Sequence, residues 1–237
     1  MTNRTLKLER QGSAAWLVLD RGERNLLDTE LTRALVDELV RLDSDDSVGA
    51  VILSGAGTTF SGGADGACIR ETGTAQAFAD AAVELFARLA DLGKPVIAAV
   101  TGDALAGGFG LACSADLVIT VRAASLGTIE TTLGTWPTIA QVPASRRVPP
   151  KAALRNVLTG VPFTADEALE LGIVDEVLED AESVLARAAE LAELVGRGNR
   201  ATELGRPLLS DLLIRGSAGY RKDLERGAQA FIELFGG

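Results

Sequence analysis

The sequence contains no histidine. Ser-His-Asp and Cys-His catalysis both need an imidazole, and most catalytic zinc sites use one as a ligand, so the sequence argues against all three. Acid–base chemistry in this chain must therefore rest on carboxylates, lysines, cysteines or the single tyrosine, Tyr220.

Basic residues, cysteines and long apolar runs are also scarce. There are 23 Lys and Arg against 33 Asp and Glu, a net charge of −10, and such a surface repels nucleic acid and anionic membranes. Cys68 and Cys113 cannot build a disulfide framework, and we interpret both as small core residues. No apolar run reaches the roughly 18 residues of a membrane span, and charges interrupt every apolar run near the N-terminus. We predict a cytoplasmic protein with no nucleic-acid or membrane partner.

Apolar residues and glycines are abundant instead. The 237 residues are 47% hydrophobic but only 4% aromatic, so a sizeable core made mainly of Ala, Leu and Val is expected. The 26 glycines cluster between Gly55 and Gly66 and between Gly102 and Gly110. Glycine permits backbone conformations that other residues avoid, so the clusters indicate two unusual stretches of backbone.

Hydrophobic periodicity predicts an α/β fold for the first part of the chain. A helix capped by Asp28 should run to about Leu42, and a second should cover Ala75–Leu92. The apolar face of the first helix would carry Leu31, Leu35, Leu39 and Leu42. Strands alternating with helices favour crossover connections and a largely parallel sheet. The predicted strands are Thr5–Glu9, Ala14–Leu19 (turning at Gly12), Ala50–Leu53, Pro95–Val100 and Leu117–Thr120.

Beyond about Pro149 the pattern predicts helices alone, one of them kinked or split by Pro207. We therefore divide the chain into an α/β core, residues 1–148, and a C-terminal helical region, residues 149–237, of the same structural unit. The predicted helices are Lys151–Thr159, Ala165–Leu171, Ala181–Val195, Asn199–Leu213 and Ala218–Phe235.

Each glycine cluster follows a predicted strand. Residues Phe60–Gly66 and the stretch from Pro95 to Ala112 could expose consecutive backbone N–H groups, which cradle an anion or polarise a carbonyl. The second stretch continues into a short helix at Gly107, whose N-terminus favours negative charge. The first cluster lacks the spacing of a dinucleotide motif, a P-loop or a nucleophile elbow. A purely structural turn is the alternative for each cluster, but amide clusters on neighbouring parallel strands can converge on one oxygen.

Several short motifs, in order, resemble the crotonase superfamily, the enoyl-CoA hydratase/isomerase family, over nearly the whole chain. Each motif alone is weak, but their order and spacing together are specific. The motifs are Gly62-Gly63-Ala64-Asp65, Val100-Thr101-Gly102 with Ala104 and Ala106-Gly107-Gly108, Ala115-Asp116-Leu117, Leu126-Gly127 with Glu130 and Leu133-Gly134, Leu158-Thr159-Gly160, and Ala165 to Asp175.

The resemblance implies a crotonase-like ββα spiral core whose C-terminal helices build trimers or pairs of trimers. It implies an oxyanion hole formed by the amides of Ala64 and Gly107, and coenzyme A bound as part of the substrate with no separate cofactor. The coenzyme A adenine and phosphates would lie near Asn25, Leu26, Gly62, Asp65 and Gly66. Arg24 and Arg70 are candidate phosphate partners, with a solvated surface role as the alternative.

The resemblance also places two catalytic glutamates in hydratases, and only one of them is present here. The first position is Gly110; the second is Glu130, whose apolar surroundings should raise its pKa. Moving a double bond needs one base, whereas adding water needs a base and an acid. We therefore predict a 3-enoyl-CoA isomerase. A hydratase with an atypical site, another enolate reaction such as decarboxylation, and a non-catalytic acyl-CoA-binding protein remain open, as does a capping or surface role for Glu130.

Further departures from the family concern the acyl pocket and the C-terminus. Trp136 should fill part of the acyl pocket, or else be an ordinary core residue, and Asp103 could be a replacement acid or a turn residue. The C-terminal residues Phe231–Phe235 stop short of the basic tail that many members of the family place near the coenzyme A phosphates, so we expect weaker coenzyme A affinity. Four late leucines would need a partner surface or pack on the chain's own core: Leu204, Leu208, Leu209 and Leu212.

Overall fold

The computed structural model describes residues 5–197, 199–211, 213 and 219–235. Its strands form two sheets. The strands are β1 (Leu6–Gln11), β2 (Ala14–Leu19), β3 (Ala50–Gly55), β4 (Thr59–Ser61), β5 (Val96–Val100), β6 (Asp103–Leu105), β7 (Leu117–Val121), β8 (Ser125–Gly127), β9 (Phe163–Thr164) and β10 (Glu176–Leu178). The helices are α1 (Thr29–Asp43), α2 (Gly66–Thr72), α3 (Ala75–Asp91), α4 (Gly107–Cys113), a 3₁₀ turn (Glu130–Leu133), α5 (Gln141–Arg147), α6 (Pro150–Thr159), α7 (Ala165–Glu170), α8 (Ala181–Gly196), α9 (Asn199–Ser210) and α10 (Tyr220–Phe235).

The larger sheet has the order β1-β2-β3-β5-β7-β10 and is parallel except at one edge. There β1 and β2 form the predicted hairpin, and Gly12 turns it with φ +58°. All five residues of β5 are buried, and α8 packs on this central strand. The prediction of a largely parallel α/β sheet is confirmed.

Helix α1 begins where the sequence predicts. The Asp28 carboxylate accepts a hydrogen bond of 2.8 Å from the Leu31 amide, so the cap satisfies one of the free N–H groups of the first turn. The four leucines predicted for its apolar face are at most 1% exposed. This face packs against α3, which contributes a wide, alanine-rich surface to the core.

A second, smaller sheet has the order β4-β6-β8-β9 and was not predicted from the sequence. Its strands have only two or three residues, which is too short for an alternating pattern to stand out. This sheet positions the two glycine clusters, because β4 and β6 are parallel neighbours and each leads directly into one of them. The clusters therefore emerge side by side.

The prediction that only helices follow Pro149 is wrong. Strand β9 pairs with β8, and β10 adds a parallel edge strand beside β7. Both sides of the division at residue 148 therefore share the two sheets. The five predicted helices do occur, and α8 packs across β2, β3, β5 and β7.

Helix α9 is held to the core by a buried arginine. Arg206 donates to the Asp116 carboxylate at 2.7 Å and to the carbonyls of Leu89 and Leu92, so this face of α9 is inward. The helix runs continuously through Pro207, which does not split it. Leucines on its other face are more than half exposed, and Leu212 lies outside the described residues. The exposed leucines are Leu204, Leu208 and Leu209.

Helix α10 lies along α3 and closes the core above it. The rings of Phe78 and Phe231 are 5.2 Å apart, and Phe231 stacks on Phe235 at 4.5 Å. The predicted start of this helix, Ala218, lies outside the described residues. Among the helices of the described chain, none is long and apolar enough to cross a bilayer.

Candidate active site

A cavity of about 500 Å³ opens beside both glycine clusters. Its wall is formed by residues of the 24–27 segment, α2, α3, the start of α4, the 3₁₀ turn, the 134–140 segment and α10. Nine of the predicted catalytic and substrate-binding residues lie on its wall. These residues are Arg24, Leu26, Gly62, Ala64, Asp65, Gly66, Gly107, Glu130 and Trp136, and Arg70 joins them.

The Ala64 and Gly107 backbones meet at the cavity wall. A methyl group built on Gly107 would lie 3.5 Å from the Ala64 nitrogen, so the two amides are close neighbours. Gly107 is the first residue of α4, where an amide has no partner within its helix. Across the part of the chain that the structure describes, neither amide donates to a protein acceptor. Two free N–H donors therefore stand together at the cavity.

Strained backbone helps to place the Gly107 amide. Ala106, which precedes it, has φ 53° and ψ −125°, a conformation that costs a residue with a side chain about 1–3 kcal/mol. The residue is held from both sides, since its amide donates to Gly127 and its carbonyl accepts from Phe109. Such strain persists only where surrounding contacts fix it, and it is common at functional sites.

Gly63 allows the two loops to approach. Its φ is +85°, and a Cβ there would lie 2.5 Å from the Gly107 nitrogen. We expect Gly63→Ala to lower the free energy of unfolding by about 2–5 kcal/mol, because left-handed strain and overpacking add together. Gly57→Ala is the matched control, since Gly57 has φ +77° with open space around it and should lose only about 1–2 kcal/mol. Denaturant unfolding of both variants measures the difference, and equal losses would contradict the close approach.

An arginine that the sequence analysis missed braces this wall. Arg21 pairs with Asp28 at 3.0 Å and with Asp65 at 2.9 Å, and it also donates to the Leu26 carbonyl at 3.1 Å. Asp28 and Asp65 cap α1 and α2 respectively, so one guanidinium ties two helix starts to the 24–27 segment. Burial acts to raise the pKa of Asp65, but the Cys68 amide and Arg21 outweigh it and lower that pKa. Asp65 is thus an ionised structural group.

Two other sequence candidates lie outside the cavity. Asn25 is fully buried, and its side-chain amide donates to the carbonyls of Ala56 and Thr59 while its oxygen accepts from the Arg21 amide. It holds the loop from behind, and its expected place near the coenzyme A stays a prediction. Asp103 accepts a 2.8 Å hydrogen bond from the Ser125 amide, which fits the turn interpretation of Asp103.

Glu130 begins the 3₁₀ turn and borders the cavity. Burial raises its pKa from 4.5 to about 7, although hydrogen bonds from the backbone amides, including that of Ile129 at 2.9 Å, oppose the shift. The sequence prediction of a raised pKa is confirmed. A carboxyl group with this pKa exchanges protons readily near neutral pH.

The raised pKa of Glu130 should make the stability of the protein depend on pH. The folded protein binds the Glu130 proton more tightly than the unfolded chain, so this stabilisation is present below about pH 4.5 and is lost as pH rises through 7. A shift of this size corresponds to roughly 3 kcal/mol. Glu130→Gln should therefore gain roughly that much unfolding free energy relative to wild type between pH 4.5 and 8. Denaturant titrations at both pH values measure it, and an unchanged difference would contradict the shift.

The position of the missing family glutamate is closed by packing. A Cβ on Gly110 would lie 3.1 Å from both Cα and Cβ of Ala140 and 3.2 Å from its carbonyl oxygen. A larger side chain at Gly110 would have to displace the start of α5. Among the described residues, the carboxylates that line the cavity are Glu130 and the ion-paired Asp65.

The inner wall of the cavity is apolar and aromatic, and the sequence analysis did not identify it. Helices α3 and α10 contribute it jointly, so the C-terminal helix lies on the cavity as well as on the core. The i, i+4 spacing of Phe231 and Phe235 was the available indication of a shared helix face. The wall residues from these helices are Phe78, Ala82, Leu85, Phe86, Phe231, Leu234 and Phe235.

Two arginines stand on the cavity wall with their side chains exposed. The Arg70 guanidinium lies 5.6 Å from the Phe235 ring centroid, and Arg24 lies beside Gly62. Within the described residues neither makes an ion pair with a carboxylate. They are therefore available to an anionic ligand.

Comparison with known proteins places this fold in one class. The chain superposes on the solved structure of Pseudomonas aeruginosa DspI with a TM-score of 0.85 and 27% identity, covering 99% of this chain and 90% of that one. It is 33% identical to a putative enoyl-CoA hydratase of Thermus thermophilus over 96% of this chain and 97% of that protein. It is 36% identical to a carnitinyl-CoA dehydratase of Salmonella arizonae over 79% of this chain and 73% of that protein.

These likenesses define an α/β enzyme with the crotonase fold, as the sequence motifs predicted. The family model described as enoyl-CoA hydratase/isomerase matches residues 9–203. The chain belongs to the enoyl-CoA hydratase/isomerase family.

Proposed function

We propose that this enzyme moves the double bond of a 3-enoyl-CoA to the 2-position, with Glu130 as its single acid and base. The observation that carries the proposal is the pairing of one protonatable carboxylate with two free amides on the same cavity. Asp65 is the other carboxylate on the wall, but its ion pair with Arg21 occupies it.

The amides of Ala64 and Gly107 would form an oxyanion hole. Removing a proton from C2 of a thioester leaves an enolate whose negative charge rests mainly on the former carbonyl oxygen. Two preorganised N–H donors stabilise this charge, each worth roughly 10²–10³ in rate. Their position at the start of α4 adds the favourable end of a short helix.

Glu130 would carry the proton between carbons. The ionised carboxylate takes the proton from C2, the double bond shifts toward C2–C3, and the same carboxyl group returns the proton at C4. One group suffices because proton removal and proton return occur at two carbons of one short chain. A pKa of about 7 keeps both forms of Glu130 accessible at neutral pH.

The rest of the cavity wall supports binding of the coenzyme A thioester. Arg24 and Arg70 are free to pair with phosphates, while Leu26, Gly62 and Gly66 offer close backbone approach. Coenzyme A enters as part of the substrate, and we expect no separate cofactor. We also propose a cytoplasmic homotrimer or dimer of trimers, in which the exposed leucines of α9 meet a neighbouring subunit.

Hydration of a 2-enoyl-CoA is the second candidate function. The printed names of the Thermus and Salmonella relatives, a putative hydratase and a dehydratase, favour it. Here Glu130 would act with a water held by backbone groups. Against it stands the packing of Ala140 on Gly110, since a carboxylate side chain at position 110 would have to displace Ala140.

A paired substrate assay tests the proposal. Wild type and Glu130→Gln are incubated separately with 3-hexenoyl-CoA and 2-hexenoyl-CoA, and products are separated by chromatography. We expect wild type to convert the 3-enoyl thioester at least tenfold faster than it hydrates the 2-enoyl thioester. Faster hydration would favour the hydratase. Binding without turnover of either thioester would overturn both reactions and favour an acyl-CoA-binding protein.

A further inference from the structure

Trp136 stands between the active-site cavity and a second pocket. The second pocket has a volume of about 450 Å³ and lies between α5 and α10. Among the described residues, Trp136 and Thr138 line both spaces. The 136–138 segment is therefore the wall that separates them.

The indole of Trp136 is held in this position by a neighbour. Its Nε1–H donates to the Gln141 side-chain oxygen at 3.0 Å, and Gln141 in turn donates to the Thr138 carbonyl at 3.2 Å. Behind the wall, α10 packs tightly, because a Cβ on Gly227 would lie 2.1 Å from the Thr138 oxygen. The backbone has no room to retreat toward α10, so the indole is the part of the wall that a longer ligand meets.

Both spaces offer apolar surface. The active-site cavity has an apolar inner wall, and the second pocket is lined by Val142 and Ala230 as well as by the Arg146–Asp223 ion pair at 2.9 Å. An alkyl chain is stabilised by about fourfold in affinity for each methylene that it buries against apolar surface. In wild type that gain stops at Trp136, because the indole stands between the two spaces.

We infer that Trp136 sets the upper limit of acyl-chain length, so that this enzyme takes acyl groups that end at the indole. The inference rests on the proposed function only in that the cavity binds an acyl-CoA thioester; it does not depend on which reaction follows. Removing the indole joins the two spaces and lets a longer chain pass into the second pocket.

Binding of saturated acyl-CoA thioesters tests the inference without requiring catalysis. Butyryl-, octanoyl- and dodecanoyl-CoA are titrated into wild type and Trp136→Ala by calorimetry. Wild-type affinity should rise with chain length and then fall, whereas in Trp136→Ala dodecanoyl-CoA should gain about tenfold. Butyryl-CoA should lose about threefold from the missing contact, so the ratio of the two affinities changes about thirtyfold.

Two further variants keep the result decisive. Trp136→Phe retains a smaller ring and should raise the upper limit of acyl-chain length by less than Trp136→Ala does. This variant tests the inference if the alanine variant fails to fold. Leu133 borders the active-site cavity but not the second pocket. Leu133→Ala should therefore change the affinity for acyl-CoA thioesters of all three chain lengths by a similar factor.

The outcomes separate this inference from the proposed reaction. A length limit that is the same in wild type, Trp136→Phe and Trp136→Ala overturns the inference, whatever the catalytic assays show. A shifted limit together with no isomerase activity supports the inference and overturns the proposed reaction. No binding of any thioester overturns both.

Discussion

Glu130→Gln should lower kcat for 3-enoyl-CoA isomerisation by about 10³-fold, within the 10²–10⁴ range of general acid–base catalysis. Glutamine has nearly the same shape but cannot accept the C2 proton, so substrate binding should persist while turnover is lost. Steady-state kinetics with 3-hexenoyl-CoA measure kcat and KM. In wild type, kcat/KM should rise with pH and level off above about 7, because the ionised carboxylate is the base.

A remote glutamate provides the control for this variant. Glu170 lies exposed on α7, away from the cavity, and Glu170→Gln should retain wild-type kcat. If Glu130→Gln keeps more than about a tenth of wild-type kcat, Glu130 is not the proton carrier. The same variant should be the more stable one at pH 8, so loss of activity through unfolding can be distinguished.

Gly107→Pro should lower kcat by about 10²–10³-fold, because proline has no N–H to offer the enolate oxygen. Gly107 is the first residue of α4, a position where proline fits a helix and where the lost N–H has no partner within the helix. The preceding residue, Ala106, has φ 53° and ψ −125°, which lies outside the extended region preferred before proline, so the variant must be shown to fold before its turnover is interpreted. Steady-state kinetics with 3-hexenoyl-CoA measure the change in kcat, and circular dichroism checks that the variant is folded.

Gly107→Ala is the matched control. Its Cβ would lie 3.4 Å from the Gly63 Cα, an ordinary contact, and its amide N–H is kept. We expect this variant to be at least tenfold more active than Gly107→Pro. Equal turnover by the two variants, both folded, would show that the Gly107 amide does not contact the reacting oxygen.

The sequence predicts those parts of the fold that carry their own periodicity or caps. The Asp28 cap with four leucines at helical spacing identifies α1, and the uninterrupted apolar run after Pro95 identifies β5. Strands β4, β6, β8 and β9 have three residues or fewer and depend on pairing partners distant in sequence. Hydrophobic pattern does not encode such pairing, so the smaller sheet and β10 were missed.

The site shows the same distinction. Glu130, Ala64 and Gly107 were predicted from the resemblance of the ordered motifs to the family, and all three line the cavity. Arg21 acts through ion pairs to residues 7 and 44 positions further along the chain, and one arginine among many gives no local indication of this. At position 110 the sequence shows that the carboxylate of the family is absent. Only the tertiary structure shows that Ala140 packs against Gly110 there.

The most direct test of Glu130 as the single proton carrier uses a deuterium label on the substrate. 3-Hexenoyl-CoA deuterated at C2 is converted in ordinary water, and the product is examined by mass spectrometry and NMR. Because buried Glu130 would take the proton from C2 and return it at C4, the account predicts 2-hexenoyl-CoA carrying part of the deuterium at C4. Formation of 3-hydroxyhexanoyl-CoA as the main product, or 2-hexenoyl-CoA with no deuterium at C4 even at the earliest times, would contradict it.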